Sequence, residues 1–300
     1  MRLRFQEEEG PYPLAVLRGR LTLSGLRDQE ISNIIDDSLS ETSISNTWTE
    51  VDLIESIERS LGKYPEKIRD NFNLLTTYEQ TRGESKSTPS LILVLEGASA
   101  TGKSMLAIEL VRDLAATRFI STDTIRQILR GIYDKQSHPE LFCHTYQAYK
   151  HRQSGDPSLD PIVRGYIAQS EVLMPHIQNL VKRVHEEGAI AVFEGVHLQP
   201  GAVKSIGTNI LEIVINPSRD THKTMFLSKN KAGKLRTVSD NLSIRTQEFD
   251  ATRKIQDYLI SCALQQKVPM IKMESYEEAR REIAGLVIDI VRALLKKSEE

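Results

Sequence analysis

The sequence predicts an α/β protein: a five-stranded parallel sheet with helices on both faces, preceded by a small, mainly helical domain. Three observations carry this. A glycine-framed loop, Gly97 to Ser104 (GASATGKS), lies between the apolar run Leu91–Leu95 and a helix-permissive run containing Met105, Leu106, Ile108, Leu110, Val111 and Leu114. Four further strand-like runs, near residues 119, 189, 210 and 268, alternate with helical patterns, as in a parallel sheet with helical crossovers. Residues 81–90 (TRGESKSTPS) form a polar, turn-rich break that divides residues 1–85 from residues 86–300.

Composition bounds the function. A chain of 300 residues suffices for two domains, and 39% hydrophobic with 27% charged residues is a globular composition. The net charge of −2 gives no global basic field, and no basic stripe with interleaved aromatics appears, which argues against a nucleic-acid partner. Cys143 and Cys262 show neither metal-ligand spacing nor a disulfide framework and are expected as small buried residues in a reducing compartment. The start, MRLRFQEEEG, turns acidic where a signal peptide needs an apolar core, and no apolar run is long enough to span a bilayer. A cytoplasmic protein with no membrane partner is expected. Oligomeric state is left open.

In the first domain Leu14–Leu17 reads as a strand after Pro11 and Pro13. Helical periodicity starts near Arg27, with Ile31, Ile34, Ile35 and Leu39 on one face. Thr49 is an N-cap for a second helix carrying Leu53, Ile54 and Ile57, and Ile68–Tyr78 reads as a third. This layout resembles an ATP-cone, the small helical nucleotide-sensing module, with its basic opening segment reduced to Arg18 and Arg20.

The loop of the second domain fits the Walker A pattern G-x-x-x-x-G-K-[ST] in its required strand–loop–helix context. Gly97, Ala98, Ser99, Ala100, Thr101, Gly102, Lys103, Ser104 and Met105 are therefore the candidates for binding ATP. Backbone N–H groups and a helix N-terminus favour phosphate, Lys103 would reach the β- and γ-phosphates, and the Ser104 hydroxyl would ligate Mg²⁺. Phe119 and Ile120 suit the next strand, and Asp123 lies just past its end, where an acceptor hydroxyl sits in an open parallel sheet. A carboxylate there takes the hydroxyl proton and orients the attacking oxygen. Arg126, one helical turn on, is placed for an anionic group of the acceptor.

Residues His138–His151 read as a helix, and a long helix starts at Pro161 and runs to about His185, with a kink or interruption expected at Pro175. Lys150, Arg152 and Arg164 are candidate acceptor contacts. The strand Ala189–Phe193 ends in Glu194, the position of a Walker B acid, which would organise Mg²⁺. Gly195 permits close backbone approach, and His197 is a candidate contact for acceptor phosphate. After the strand Ile210–Ile215, a lid is expected at about 217–241, rich in Arg219, Lys223, Lys229, Lys231, Lys234 and Arg236. Arg236 and Arg219 are the first choices for closing on the transferring phosphoryl group. Asn230–Gly233 (NKAG) lacks the Asp of a guanine-reading N-K-x-D, which disfavours a GTPase. A helix over 244–264, a strand over 268–271 and a closing helix over 276–295 complete the alternation.

Several stretches together resemble one family, the 2-phosphoglycerate kinases known from archaea, with related P-loop proteins in plants linked to phytate synthesis. They are Ser121–Arg126 (STDTIR), Pro139–Lys150 (PELFCHTYQAYK), Glu194–Gly201 (EGVHLQPG) and Arg253–Tyr258 (RKIQDY), beside the phosphate loop. An ATP-cone-like front is also part of that family's layout. The resemblance implies a P-loop kinase that phosphorylates the free hydroxyl of 2-phosphoglycerate from ATP, giving 2,3-bisphosphoglycerate and ADP. The stretch Tyr166–Ser170 (YIAQS) is closer to the plant-type branch. An inositol compound or another small hydroxyl compound as acceptor stays open, as does an ATP-binding regulatory protein that phosphorylates no small molecule.

Overall fold

The computed structural model describes residues 2–5, 8–42, 48–84, 88–233 and 241–299. The chain forms two compact units, Met1–Pro89 with Leu110–Ala116 and Arg281–Glu300, and Ser90–Glu109 with Thr117–Arg280.

In the first unit strands β1 (Arg2–Phe5) and β2 (Glu8–Pro11) pair antiparallel, followed by helices α1 (Leu14–Ser24), α2 (Asp28–Thr42), α3 (Glu50–Leu61) and α4 (Glu66–Glu84). Leu14–Leu17, read as a strand from its apolar run, instead opens α1. Leu17 and Leu21 recur at helical spacing and are fully buried with Ile31, Ile34, Leu53, Ile57 and Phe72. Gly19 inside this helix is no break. A Cβ there would lie 2.2 Å from the Asp113 carbonyl oxygen, so two backbones meet at closest approach. Arg20 is buried, with Nη2 3.7 Å from the Glu50 carboxylate. Thr49 caps α3 as expected: its hydroxyl oxygen accepts from Asp52 N–H at 3.3 Å, and Asp52 Oδ2 accepts from Thr49 N–H at 2.8 Å.

The second unit carries β3 (Ile92–Glu96), β4 (Arg118–Ser121), β5 (Ala191–Gly195), β6 (Ile210–Asn216) and β7 (Met270–Lys272), all parallel, in the order β4-β5-β3-β6-β7. Helices α5 (Lys103–Asp113), α6 (Thr122–Leu129), α7 (Pro161–Glu187), α8 (Arg219–Gly233), α9 (Leu242–Gln266) and α10 (Tyr276–Glu299) alternate with them along the chain, the end of α5 and most of α10 being counted in the first unit. From β3 the chain runs outward to β4, then returns through β5 and crosses to β6 and β7. Because such crossovers are right-handed, α5 lies on one face of the sheet, and α7 and α9 lie on the other. Ile92, Val94, Ala191, Phe193 and Ile210 meet Leu173, Ile177 and Val181 of α7. On the opposite face Leu93, Leu95, Val192, Ile213 and Ile215 are equally buried. Burial on both faces explains why these strands are continuously apolar instead of alternating. The direction of progression reverses at β3, and a crevice opens there beyond the strand's carboxyl end.

Two further expectations are corrected. Residues His138–His151 form two short 3₁₀ turns, Pro139–Phe142 and Thr145–Lys150, rather than one helix. The Leu141 and Cys143 carbonyls, which an α-helix would use internally, accept instead from Arg130 Nε at 2.6 Å and Arg126 Nη1 at 3.2 Å. Pro175 does not interrupt α7. One backbone bond is lost there, while Leu173 on one side and Ile177 and Val181 on the other anchor the helix in the core. Among the described residues no helix is long and apolar enough to cross a membrane.

Thr49→Ala is expected to lower the unfolding free energy of the first unit by about 1 kcal/mol, with Thr49→Ser close to the parent. Trp48, the single tryptophan and part of that core, reports this unit's urea transition by fluorescence.

Candidate active site

Beyond β3 the chain bends through Gly97, Ala100 and Gly102, with φ of +145°, +66° and +91°, and α5 begins at Lys103. Four side-chain bonds hold this loop. Lys103 Nζ and the Thr101 hydroxyl donate to the Ala98 carbonyl at 3.2 and 3.1 Å. His222 Nε2–H donates to the Ser99 carbonyl at 2.9 Å, and Ala98 N–H donates to Gln256 Oε1 at 2.8 Å. The loop borders a cavity of about 670 Å³, lined from it by Ala98, Ser99, Ala100, Gly102, Lys103, Ser104 and Met105. Gly97 and Thr101 do not line it, and Thr101 is fully buried.

Across the cavity stand Asp123 and Arg126, from the first turns of α6. Asp123 is exposed, and Arg126, largely buried, lies with Nη2 3.1 Å from Asp123 Oδ1. The parallel pairing of β4 with β5 sets Ser121 opposite Glu194, so the ends of the two strands deliver Asp123 and Glu194 to the same edge of the sheet. Glu194 is nearly buried. Its Oε2 accepts from the Ser104 hydroxyl at 3.1 Å and lies 4.0 Å from Lys103 Nζ. This pair of oxygens beside the phosphate loop suits a hard divalent cation such as Mg²⁺. Among the described residues no group of three or more His, Cys, Asp or Glu is placed to hold a metal ion, so phosphate and water oxygens would complete the coordination of Ser104 and Glu194.

His197, expected to touch acceptor phosphate, is fully buried and lies outside the cavity lining. Its ring belongs to a buried chain. Gln169 Nε2 donates to the Glu140 carbonyl, which turns Gln169 Oε1 towards His197 Nε2–H at 2.9 Å. Nδ1 then accepts from the Thr122 hydroxyl at 3.0 Å. Burial, with the nearby Arg126 cation, pushes the His197 pKa down to about 3, so the ring is neutral. Thr122 is also pinned by Gly195, where a Cβ would lie 1.8 Å from its hydroxyl oxygen. Any side chain there would displace Thr122 and with it Asp123.

Lys150 and Arg164 are not brought to the cavity either. Lys150 is exposed over the Tyr149 ring at 6.0 Å. Arg152 points to the buried Glu140 at 3.4 Å, and Arg219 pairs with Asp250 at 2.8 Å. Arg236 lies outside the described residues. In place of these, the 3₁₀ segment supplies His144, Thr145 and Tyr146 to the lining, with the His144 ring stacked on Tyr146 at 5.2 Å. Thr252 and Ile255 of α9 also line the cavity, and Gln256 of the same helix holds the loop from behind. The signal for Ile255 and Gln256 in the sequence was the Arg253–Tyr258 stretch, which has polar residues amid an apolar helix face.

The neutral, buried His197 makes a prediction about acid. The unfolded chain takes up a proton at this residue near pH 6.5, whereas the folded chain does so only near pH 3. Its contribution to stability is therefore fully present above pH 6.5 and is lost as pH falls towards 3. Between pH 6 and 4.5 the unfolding free energy of His197→Asn, followed by circular dichroism in urea, is expected to fall less steeply than the parent's. The difference amounts to about 1.4 kcal/mol per pH unit.

No family model matches the chain. The chain is 26% identical over 294 residues to a 2-phosphoglycerate kinase of Methanopyrus kandleri, covering 96% of this chain and 86% of the relative. A 2-phosphoglycerate kinase of Pyrococcus horikoshii is 32% identical over 207 residues, covering 69% of this chain and 66% of its own. Among solved structures, shikimate kinase from Acinetobacter baumannii in complex with shikimate aligns with a TM-score of 0.41 and 9% identity, over 72% of this chain and 97% of its own.

Proposed function

We propose a reaction from one premise: this chain belongs to the 2-phosphoglycerate kinase family and is a phosphotransferase. The reaction is transfer of the γ-phosphoryl group of ATP to the free hydroxyl of 2-phosphoglycerate, giving 2,3-bisphosphoglycerate and ADP. The observation that carries this reading is that Asp123 and Arg126 line the same cavity as Lys103 and Ser104. A protein that only bound nucleotide would need neither of the first two.

Phosphoryl transfer is mostly positioning and charge neutralisation. The phosphate loop holds the triphosphate, and the Lys103 ammonium swings from the Ala98 carbonyl to the β- and γ-phosphates. Ser104 and Glu194 would hold Mg²⁺, which when bound would neutralise phosphate charge. Arg126 takes an anionic group of the acceptor, and Asp123 orients its hydroxyl. The acceptor oxygen forms its bond to the γ-phosphorus as the bond to the β–γ bridging oxygen breaks. The electron pair leaves with ADP, and the hydroxyl proton passes to Asp123.

Purified protein with MgATP and 2-phosphoglycerate is expected to form ADP and 2,3-bisphosphoglycerate in equal amounts. ADP without a phosphorylated glycerate, or product only with an inositol-type acceptor, would remove the substrate assignment. Asp123→Asn is expected to bind MgATP as the parent does while kcat falls by about 10²–10⁴. Lys103→Ala is expected to weaken MgATP binding itself. Parent-like turnover by Asp123→Asn would sink the role given to that carboxylate.

A further inference from the structure

The phosphate loop is held from outside by two buried side chains that the transfer chemistry does not use. Gln256, on α9, is fully buried and engages both ends of its amide. Its Oε1 accepts from Ala98 N–H at 2.8 Å, and its Nε2 donates to the Ile215 carbonyl at 3.1 Å. One planar group therefore fixes the first turn of the loop to the end of β6. His222, on α8, is also fully buried, and its Nε2 faces the Ser99 carbonyl at 2.9 Å. A carbonyl only accepts, so the ring carries its proton on Nε2. Burial pushes the pKa of this ring down to about 4, which keeps that neutral tautomer at physiological pH.

The two helices that provide these groups are joined to each other. Phe226 and Phe249 meet at 5.9 Å between ring centroids, and Arg245 of α9 donates to the Phe226 carbonyl at 2.6 Å. Arg245 also lies over the Phe226 ring at 4.1 Å. A rigid helix pair thus presents an acceptor to one loop N–H and a donor to the next residue's carbonyl.

We propose that Gln256 and His222 are positioning residues for nucleotide binding, which set the shape of the phosphate loop through Ala98 N–H and the Ser99 carbonyl. This rests on the reading of that loop as the ATP site. The two bonds fix the orientation of the Gly97–Ala98 and Ser99–Ala100 peptide planes, which flank the Ala98–Ser99 peptide at the start of the loop. Losing them leaves buried backbone groups unpaired, and the loop must turn its peptides to satisfy them.

Direct MgATP binding by calorimetry, alongside steady-state kinetics and a thermal melt, tests the inference. Gln256→Met keeps the volume and removes both bonds. It is expected to raise the MgATP Kd and KM by about tenfold or more, with the acceptor KM unchanged. Gln256→Glu keeps an acceptor for Ala98 N–H but sets a second acceptor against the Ile215 carbonyl and a buried charge beside the loop, and is expected to raise the MgATP Kd as well. His222→Phe keeps the ring and removes the donor, and should shift the MgATP Kd in the same direction. Folded Met and Phe variants that bind MgATP within twofold of the parent would overturn the proposal, whatever their melting temperatures. If Gln256→Met does not fold, His222→Phe decides. A parent protein that binds no MgATP would instead overturn the ATP reading of the loop, and this inference with it.

Discussion

A loop that binds polyanions with its backbone works under one constraint: its amide donors must stay turned towards the ligand, so its own backbone cannot close it into a stable shape. Something else has to hold it. In this protein side chains do so, and they bind chiefly the first residues of the loop. Thr101 and Lys103 converge on the Ala98 carbonyl, Gln256 takes the Ala98 N–H and His222 takes the Ser99 carbonyl. Lys103 is the exception among them, since the same ammonium is the one proposed to serve the phosphates. Its bond to Ala98 keeps a nearly buried cation paired until a triphosphate competes for it.

The acceptor side follows a similar rule. Asp123 is exposed and makes few demands on its surroundings, yet its position is set by a buried chain from Glu140 through Gln169 and His197 to Thr122. Each member of that chain is fully buried, and each polar contact in it has one sensible direction of donation. A charged imidazole is disfavoured here because full burial gives its charge no solvent, and Arg126 is a nearby cation. His197 therefore supports α6 through Thr122 and does not face the cavity. The basic residues act likewise: Arg126 and Arg130 hold the 3₁₀ segment by its carbonyls, and this brings His144 and Tyr146 to the cavity.

Much of the sheet was legible in the sequence because parallel strands buried on both faces leave unbroken apolar runs. The three central strands β5, β3 and β6 are such runs, whereas the edge strands β4 and β7 are short and partly exposed and show mainly by their place in the alternation. The phosphate loop, Asp123 and Glu194 were singled out for the related reason that each follows the carboxyl end of a strand. Where the reading failed, the deciding partner was remote. Leu14–Leu17 looks like a strand until Gly19 is seen against the Asp113 carbonyl. Residues His138–His151 carry a helical pattern, but arginines from α6 claim the carbonyls that a helix would need.

The sequence by itself determined the layer architecture, the loop that holds phosphate and the carboxylates at the strand ends. Local pattern and strand polarity suffice for these. Only the tertiary structure decided which polar residues reach the cavity and which are its buried scaffolding. Lys150, Arg164 and His197 are as polar as Asp123 and Arg126, and nothing in the spacing separates the two groups. The difference is where each element lies: Lys150 faces solvent away from the cavity, His197 is fully buried behind it, and Arg126, though largely buried, opens onto it. Exposure leaves a side chain to the solvent or the ligand, whereas full burial obliges it to pair with a specific donor or acceptor within the protein.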